Sequence, residues 1–388
     1  MTETAEATGL YDLTDEHRAM RDAARQLAEG KVAPRAAEID ATDEFPADIQ
    51  SVLGDHDFAA LPFEEEYGGA GADHISLCIA MEEISKASAA VGQMLSAYDL
   101  GSGPLRFYGT EEQKQRFLPA MASGENIPAF ALSEPEAGSD PAGMRTRAVR
   151  DGDEWVLNGE KNWISFVSVA DTITVFAVTD TDAPSHRGIS CFVVEAGTAG
   201  FSIGRLEHKM GMKGVPTGSP VFDDCRVPAE NLIGAENEGF KIAMRVLDHT
   251  RLGIAAQGLG IAQGATDYAA NYAKERRQFG KPIAEFQAIQ FKIADMETGN
   301  CAGRELLYQG AAKADRGDPE LGKYSAMAKL FCTDHAMRTT TEAVQILGGY
   351  GYVKEYPVER MMRDAKLTQI YEGTNEIQRI VIARSKLR

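Results

Sequence analysis

The chain has 388 residues, a net charge of −18, and 44% hydrophobic and 25% charged residues. That balance is the one expected of an ordinary globular protein of two or three domains. The acidic excess argues against nucleic acid as a partner, because phosphate binding needs a basic surface, and no apolar run reaches the ~18 residues of a membrane span.

The first segment, residues 1–128, reads as an α-helical domain. Thr14 is placed to cap a helix with apolar face Met20, Ala24 and Leu27, closed by Gly30. Pro34 and Pro46 punctuate the chain, and the glycine turn Gly68-Gly69-Ala70-Gly71 precedes a second helical stripe of Ile75, Cys78, Ile79 and Ile84. A third helix is expected from Glu111 toward Met121.

Composition changes near Pro128, and residues 129–237 read as a small central β-barrel or sandwich. Met144–Arg150, the turn Asp151-Gly152-Asp153 and Glu154–Asn158 predict a hairpin. Thr172–Val178 and Gly188–Glu195 read as buried strands, followed by strands at Phe201 and Pro220. The 3.6-residue period returns over residues 238–388, with helices expected at 240–276, 285–316, 323–347 and from Lys366 onward, a C-terminal four-helix bundle. The fold class is therefore α+β: helices, small β-domain, helical bundle.

The five cysteines, Cys78, Cys191, Cys225, Cys301 and Cys332, are scattered and lack C-x-x-C spacing, and the histidines form no H-E-x-x-H. This pattern fits a reducing compartment and speaks against a disulfide frame or a metal site. The opening Met1-Thr-Glu-Thr-Ala-Glu has neither signal-peptide nor transit-peptide character, so a cytoplasmic protein is expected.

Several segments carry chemistry-bearing residues. Gly258-Leu-Gly-Ile-Ala-Gln-Gly264 resembles a dinucleotide loop, but no strand precedes it; its small residues suit close helix packing instead. Arg276 and Arg277 beside Gly280 suit either a pyrophosphate clamp or a cationic helix end. Phe130–Asp140 leaves a strand and enters a turn of small and hydroxyl residues, and Trp163-Ile164-Ser165 ends another strand with an aromatic plate and a hydroxyl; both suit a polar ring edge or a plain barrel rim. Asp248 and Arg251 stand at i, i+3, as in a surface ion pair. Gln345–Tyr352 is a glycine-dense helix exit. Glu372 is flanked by Ile370, Tyr371 and Gly373; desolvation there would raise its pKa toward the range of a general base, and Thr374 and Asn375 can cap a helix starting near Glu376.

Taken together these segments resemble the acyl-CoA dehydrogenase family over essentially the whole chain. The matching stretches fall in the family's order: A-L-S-E-P-E-A-G-S-D (131–140), K-N-W-I-S (161–165), H-K-M-G-M-K-G (208–214), L-D-H-T-R (247–251), R-R-Q-F-G-K-P (276–282), Q-I-L-G-G-Y-G (345–351) and R-D-A-K-L-T-Q-I-Y-E-G-T-N-E-I-Q-R (363–379). The resemblance implies a homotetrameric flavoprotein of the short- or medium-chain branch. It implies that FAD contacts Phe130, Leu132, Ser133, Gly138, Ser139, Trp163, Ile164 and Ser165. Arg276, Gln278, Phe279 and Gln287 would reach the FAD of a neighbouring subunit. Gln345, Ile346, Gly348 and Gly349 would approach its pyrophosphate and adenosine side, with Thr374 and Glu376 turned toward it. Many members carry Thr where Ser133 and Ser165 stand; Ser keeps the hydroxyl and loses a methyl. Ser139, Asp248, Arg251, Tyr371, Gly373 and Arg384 would lie along the acyl-CoA.

By the same resemblance Glu372 is the catalytic base, taking the α-proton while a hydride leaves Cβ for the flavin. Its backbone N–H and a ribityl hydroxyl would polarise the thioester carbonyl. The isovaleryl-type branch carries its Glu where Thr250 stands, and nitroalkane oxidases carry Asp at the Glu372 position. The product would be the trans-2-enoyl-CoA, with electrons passed to an electron-transferring flavoprotein. Two alternatives stay open: an acyl-CoA oxidase on the same scaffold, and a non-catalytic FAD- or acyl-CoA-binding subunit.

Overall fold

The computed structural model describes residues 13–387. Two compact units are formed. Among the described residues, one combines 13–37 with Asp73–Gly92 and 251–387; the other combines Glu38–Ala72 with Gln93–Thr250.

The N-terminal region is helical: α1 (Asp15–Leu27), α2 (Ala36–Thr42), α3 (Ala47–Asp55), α4 (His74–Ala87), α5 (Ala89–Tyr108) and α6 (Glu111–Ala122). Thr14 caps α1 as expected, in a capping box with His17, and Ala24 and Leu27 are buried. Gly30 does not close that helix. The chain runs through a π-helical turn, Ala28–Val32, and a 3-10 turn, Ala33–Arg35, where Pro34 occupies an early position that needs no amide hydrogen. Asp73 caps α4 and Thr110 caps α6, each by accepting a backbone N–H three residues on. Helix α5 has no counterpart among the helices expected from the sequence, and it contains Gly101, Gly103 and Pro104, residues of low helix propensity. The glycines instead permit close packing: a Cβ on Gly101 would lie 2.8 Å from Pro128, and one on Gly103 2.7 Å from Val246.

The central β-domain has nine strands: β1 (Pro128–Ala131), β2 (Arg147–Asp151), β3 (Glu154–Glu160), β4 (Ile164–Ser165), β5 (Thr172–Val178), β6 (Ile189–Glu195), β7 (Phe201–Leu206), β8 (Thr217–Pro228) and β9 (Leu232–Ile233). Their order is β4-β8-β3-β2-β5-β6-β9, with β1 parallel beside β5 and β7 antiparallel beside β8. The predicted hairpin is β2–β3, pairing Asp151 with Glu154 across Gly152 in the left-handed region at φ 62°. Strands β5 and β6 are buried almost end to end, as continuous apolar runs require.

The C-terminal region comprises α7 (Gly239–Glu275), a two-stranded hairpin of β10 (Arg277–Gln278) and β11 (Lys281–Pro282), then α8 (Gln287–Asp315), α9 (Leu321–Leu347), α10 (Val358–Thr368) and α11 (Asn375–Leu387). The helix expected from Lys366 onward is thus two helices with a turn between them. Gly258, Gly260 and Gly264 lie inside α7. A Cβ on Gly260 would meet the Glu82 carbonyl of α4 at 2.3 Å, and one on Gly264 the Lys86 carbonyl at 2.5 Å. These glycines are close-packing positions, not a nucleotide loop. Ala265, Ala269, Met296, Ala343, Leu347 and Val358 share one apolar cluster that joins α7, α8, α9 and α10. Among the described residues, no helix is long and apolar enough to cross a membrane.

Candidate active site

The turn between α10 and α11 puts two successive residues in the left-handed region, Glu372 at φ 50° and Gly373 at φ 88°. Glycine takes this conformation freely, but a glutamate there costs ~1–2 kcal/mol and persists only when its surroundings over-determine it. They do so here. Gln378 Nε2 donates to the Glu372 carbonyl at 3.3 Å and the Gly373 carbonyl at 2.8 Å. Lys329 Nζ donates to the Gly373 carbonyl at 2.9 Å and to Asn375 Oδ1 at 2.8 Å. Asn375 in turn donates to Thr333 Oγ1 at 2.9 Å and Asp334 Oδ1 at 2.7 Å, and its backbone N–H returns to the Gln369 carbonyl at 3.0 Å. Thr374 caps α11 by accepting the Ile377 amide at 3.4 Å.

Glu372 is half-buried, and Ile370 beside it is 49% exposed. Lys329 and Glu372 act on one another electrostatically. Lys329 is fully buried, and burial pushes its amine down to about 7; Arg251 pushes the same way, while Glu372, Asp334 and Glu376 oppose it. Arg251 is 4% exposed, so its guanidinium on α7 is buried and not at the surface. Tyr371 hydrogen-bonds Gln257 through its hydroxyl, which burial holds well above its ordinary pKa. Thr250 is buried, Asp248 half-buried, and both Glu376 and Arg384 are exposed.

The β-domain assembles a second group. Phe130 packs on Phe176 with ring centroids 5.0 Å apart; beyond β1, Leu132 is buried and Ser133 half-buried. The Asn162 amide donates to the Ser133 carbonyl at 2.9 Å, bringing 130–133 alongside 162–165. Ile164 and Ser165 form a strand of their own, but Trp163 is not part of the strand the sequence suggested. Trp163 is a left-handed turn residue, φ 64°, whose 59% exposed side chain precedes the separate short strand β4. In β4 Ile164 is buried and Ser165 half-buried, whereas Gly138 and Ser139 are exposed on the preceding turn.

Lys161, fully buried, anchors this rim: its Nζ lies 2.7 Å from Glu134 Oε1 and 3.2 Å from the Leu132 carbonyl. Glu134 also accepts the amides of Arg145 at 2.5 Å and Thr146 at 3.0 Å. Burial alone would raise Glu134, but Lys161 and these donors win and lower it; burial lowers Lys161 to about 8 against the pull of Glu134.

A third group lies on the C-terminal helices. Phe279 (φ 49°) and Gly280 (φ 83°) form the two-residue turn of the β10–β11 hairpin, and Phe279 is 93% exposed at its tip beside exposed Gln278. The Arg276 guanidinium sits 5.3 Å from the centre of the Tyr350 ring, so the glycine-dense exit of α9 lies beside the cationic end of α7. Gln345, Gly348 and Gly349 are exposed there, with open space where Cβ atoms of the glycines would point, and Gln287 is exposed at the start of α8. Ile346 differs: its side chain is buried in the apolar cluster, leaving only its backbone for any ligand.

Sequence reasoning missed Lys161, Lys329, Gln257 and Gln378. Lys329 had a signal: it shares a helix face with Ser325, Ala326, Cys332 and Thr333, all buried. Among the described residues no group of three or more His, Cys, Asp or Glu side chains is placed to hold a metal.

Three family profiles match the chain in succession: the acyl-CoA dehydrogenase N-terminal domain over residues 14–125, the middle domain over 129–225 and the C-terminal domain over 237–387. The probable acyl-CoA dehydrogenase FadE25 of Mycobacterium tuberculosis is 49% identical over 379 residues, covering 98% of this chain and 97% of that protein. Among solved structures, butyryl-CoA dehydrogenase from Megasphaera elsdenii superposes with a TM-score of 0.95 at 45% identity, covering 97% of this chain and 100% of that one. A chain from a structure described as an electron transferring flavoprotein of Acidaminococcus fermentans gives a TM-score of 0.95 at 47% identity, covering 97% and 99%.

Proposed function

The chain belongs to the acyl-CoA dehydrogenase family, and is thus an oxidoreductase; on that premise we propose that it converts a saturated short- or medium-chain acyl-CoA to the trans-2-enoyl-CoA. The observation that carries this reading is Glu372, a half-buried carboxylate held in a strained left-handed turn and sharing its electrostatic field with buried Lys329 and Arg251. The short-chain preference rests on the likeness to butyryl-CoA dehydrogenase.

The residues fit FAD as cofactor. Ser133 and Ser165 offer half-buried hydroxyls beside the exposed indole of Trp163, a surface suited to a flat ring with a polar edge. Gly348 and Gly349 leave open backbone suited to a pyrophosphate near the Arg276 guanidinium. FAD, when bound, supplies the two-electron acceptor for the β-hydrogen. Glu372 removes the substrate α-proton as general base, and its backbone N–H orients the thioester carbonyl. Arg251 and Arg384 contribute positive charge along the acyl-CoA. The exposed Phe279 hairpin supports a homotetramer in which Arg276, Gln278, Phe279 and Gln287 reach a neighbouring subunit's FAD. An electron-transferring flavoprotein is the proposed electron acceptor, in keeping with the Acidaminococcus likeness.

The test is Glu372→Gln with butyryl-CoA under anaerobic conditions. The variant is expected to bind FAD, yet to lose flavin bleaching by ~10²–10⁴-fold, the contribution of a positioned general base. Bleaching at the wild-type rate would refute Glu372 as base, and absence of bleaching in the wild type with every acyl-CoA would refute the activity.

A further inference from the structure

The turn that carries Glu372 is held from one side by a charge that stability does not explain. Lys329 lies on the face of α9 that packs inward, with no exposed surface, among Ser325, Ala326, Cys332 and Thr333. An unbranched apolar side chain would fill the same volume without the cost of desolvating an ammonium. The amine nevertheless makes two short bonds, both to the turn: the Gly373 carbonyl at 2.9 Å and Asn375 Oδ1 at 2.8 Å. Gln378 also donates to the Glu372 and Gly373 carbonyls, and the Asn375 side chain is tied to Thr333 and Asp334. The left-handed pair Glu372–Gly373 is therefore clamped by one charged and one neutral donor.

We propose that Lys329 is a positioning residue for the Glu372 base: its ammonium locks the left-handed turn that aims the carboxylate, and its charge favours the ionised carboxylate that accepts the proton. The inference rests on the reading of Glu372 as general base. The charged groups that act on Lys329 are Glu372 on the turn, Arg251 on α7, Asp334 on α9 itself and Glu376 on α11. Two carry the opposite sign from α9 and α11, one repels from α7, and the fourth is the base. Burial lowers the Lys329 amine to about 7, so it is protonated throughout the range in which an ordinary carboxylate ionises. Its charge is present where an ordinary carboxylate ionises, and it is lost as pH rises through about 7.

The two roles separate by mutation. Lys329→Met removes the clamp and the charge. Lys329→Gln keeps a donor and removes the charge. Gln378→Met loosens the same carbonyls and leaves the charge in place. With the FAD-loaded enzyme and butyryl-CoA, Lys329→Met is expected to reduce the anaerobic flavin-reduction rate at least ~10-fold, as misplacement of a reacting group does. It also moves the acid limb of kcat/KM upward by about one pH unit, because losing a nearby cation makes the base harder to ionise. Lys329→Gln recovers part of the rate but keeps the shifted limb. Gln378→Met lowers the rate and keeps the wild-type limb.

Hydrogen exchange of the segment 369–378 reads the clamp without substrate and rises in Lys329→Met. Wild-type exchange and rate in Lys329→Met overturn the proposal, as does an unshifted acid limb in both Lys329 variants. Should neither Lys329 variant fold, Gln378→Met decides: a wild-type rate with wild-type exchange overturns the clamp. Failure of the catalytic reading looks different. The wild type then fails to bleach with any acyl-CoA, while hydrogen exchange still shows whether Lys329 holds the turn.

Discussion

Replacing Lys161 by Met tests whether the β-domain rim is held by its buried ion pair. Lys161 is completely buried and the Glu134 side chain is 6% exposed, so the variant leaves a carboxylate in the interior without its cation. Removing one partner of a buried pair costs ~3–5 kcal/mol. The lower end, about 3 kcal/mol, applies here, because Glu134 keeps the amides of Arg145 and Thr146. The double variant Lys161→Met/Glu134→Gln removes the stranded charge and is expected to recover most of that loss. Both tryptophans, Trp155 and Trp163, lie in the β-domain, so tryptophan fluorescence during denaturant unfolding reports this domain selectively. The pH dependence gives a second reading. Lys161 titrates near 8 when folded, below its ordinary 10.5, so the folded state binds fewer protons between those values. The penalty for the buried charge is in full force below pH 8 and lifts as pH rises toward 10.5. Wild-type stability should therefore climb relative to Lys161→Met across that window, by roughly 3 kcal/mol. A single variant within ~1 kcal/mol of wild type, a double variant no more stable than the single one, or a flat difference between pH 8 and 10.5 would refute the reasoning.

Two backbone predictions complement the Glu372 and Lys329 tests. Gly373→Ala forces a side chain into the left-handed region and sets its Cβ 2.7 Å from Gln378 Nε2, breaking the clamp; anaerobic flavin reduction should slow at least ~10-fold while global unfolding shifts by only ~1–2 kcal/mol. Gly260→Ala drives a Cβ within 2.3 Å of the Glu82 carbonyl and should destabilise by ~1–3 kcal/mol, whereas Gly253→Ala, whose Cβ meets only the Met81 methyl at 3.8 Å, should stabilise by up to ~1 kcal/mol. Circular dichroism through denaturant unfolding ranks the pair, and equal effects of the two substitutions would contradict the packing role assigned to Gly260.

What the sequence made legible was local chemistry. Thr14 before Asp15 and Glu16, the Asp-Gly turn between alternating strands, and the apolar runs at 172–178 and 189–195 each announce an element by interactions spanning a few residues. The Gly258–Gly264 stretch was legible for the same reason, since a nucleotide loop needs a preceding strand and none is written there. Helix α5 was not legible: Gly101, Gly103 and Pro104 are locally breakers, and only contacts with Pro128 and Val246 reveal why they are tolerated.

The candidate site divides along the same line. Glu372 and Gly373 stand together in the chain, and their order could be read; the residues that hold them are Lys329 and Gln378, and Lys329 is remote in sequence. A lysine carries a strong prior for the surface. Overturning that prior requires knowing that position 329 falls on the inward stripe of α9 and that the Gly373 carbonyl of a distant turn lies within reach of its amine. The same holds for Lys161, whose partner is Glu134. In both places a buried amine takes up the carbonyl of a chain segment that bears a site residue, Gly373 beside Glu372 and Leu132 beside Ser133. Apolar packing could bury either segment but could not fix a carbonyl's direction. A lysine reaching in from another segment of the chain can do so, and that directional demand is the physical reason two charges sit where hydrophobic side chains would have been less costly.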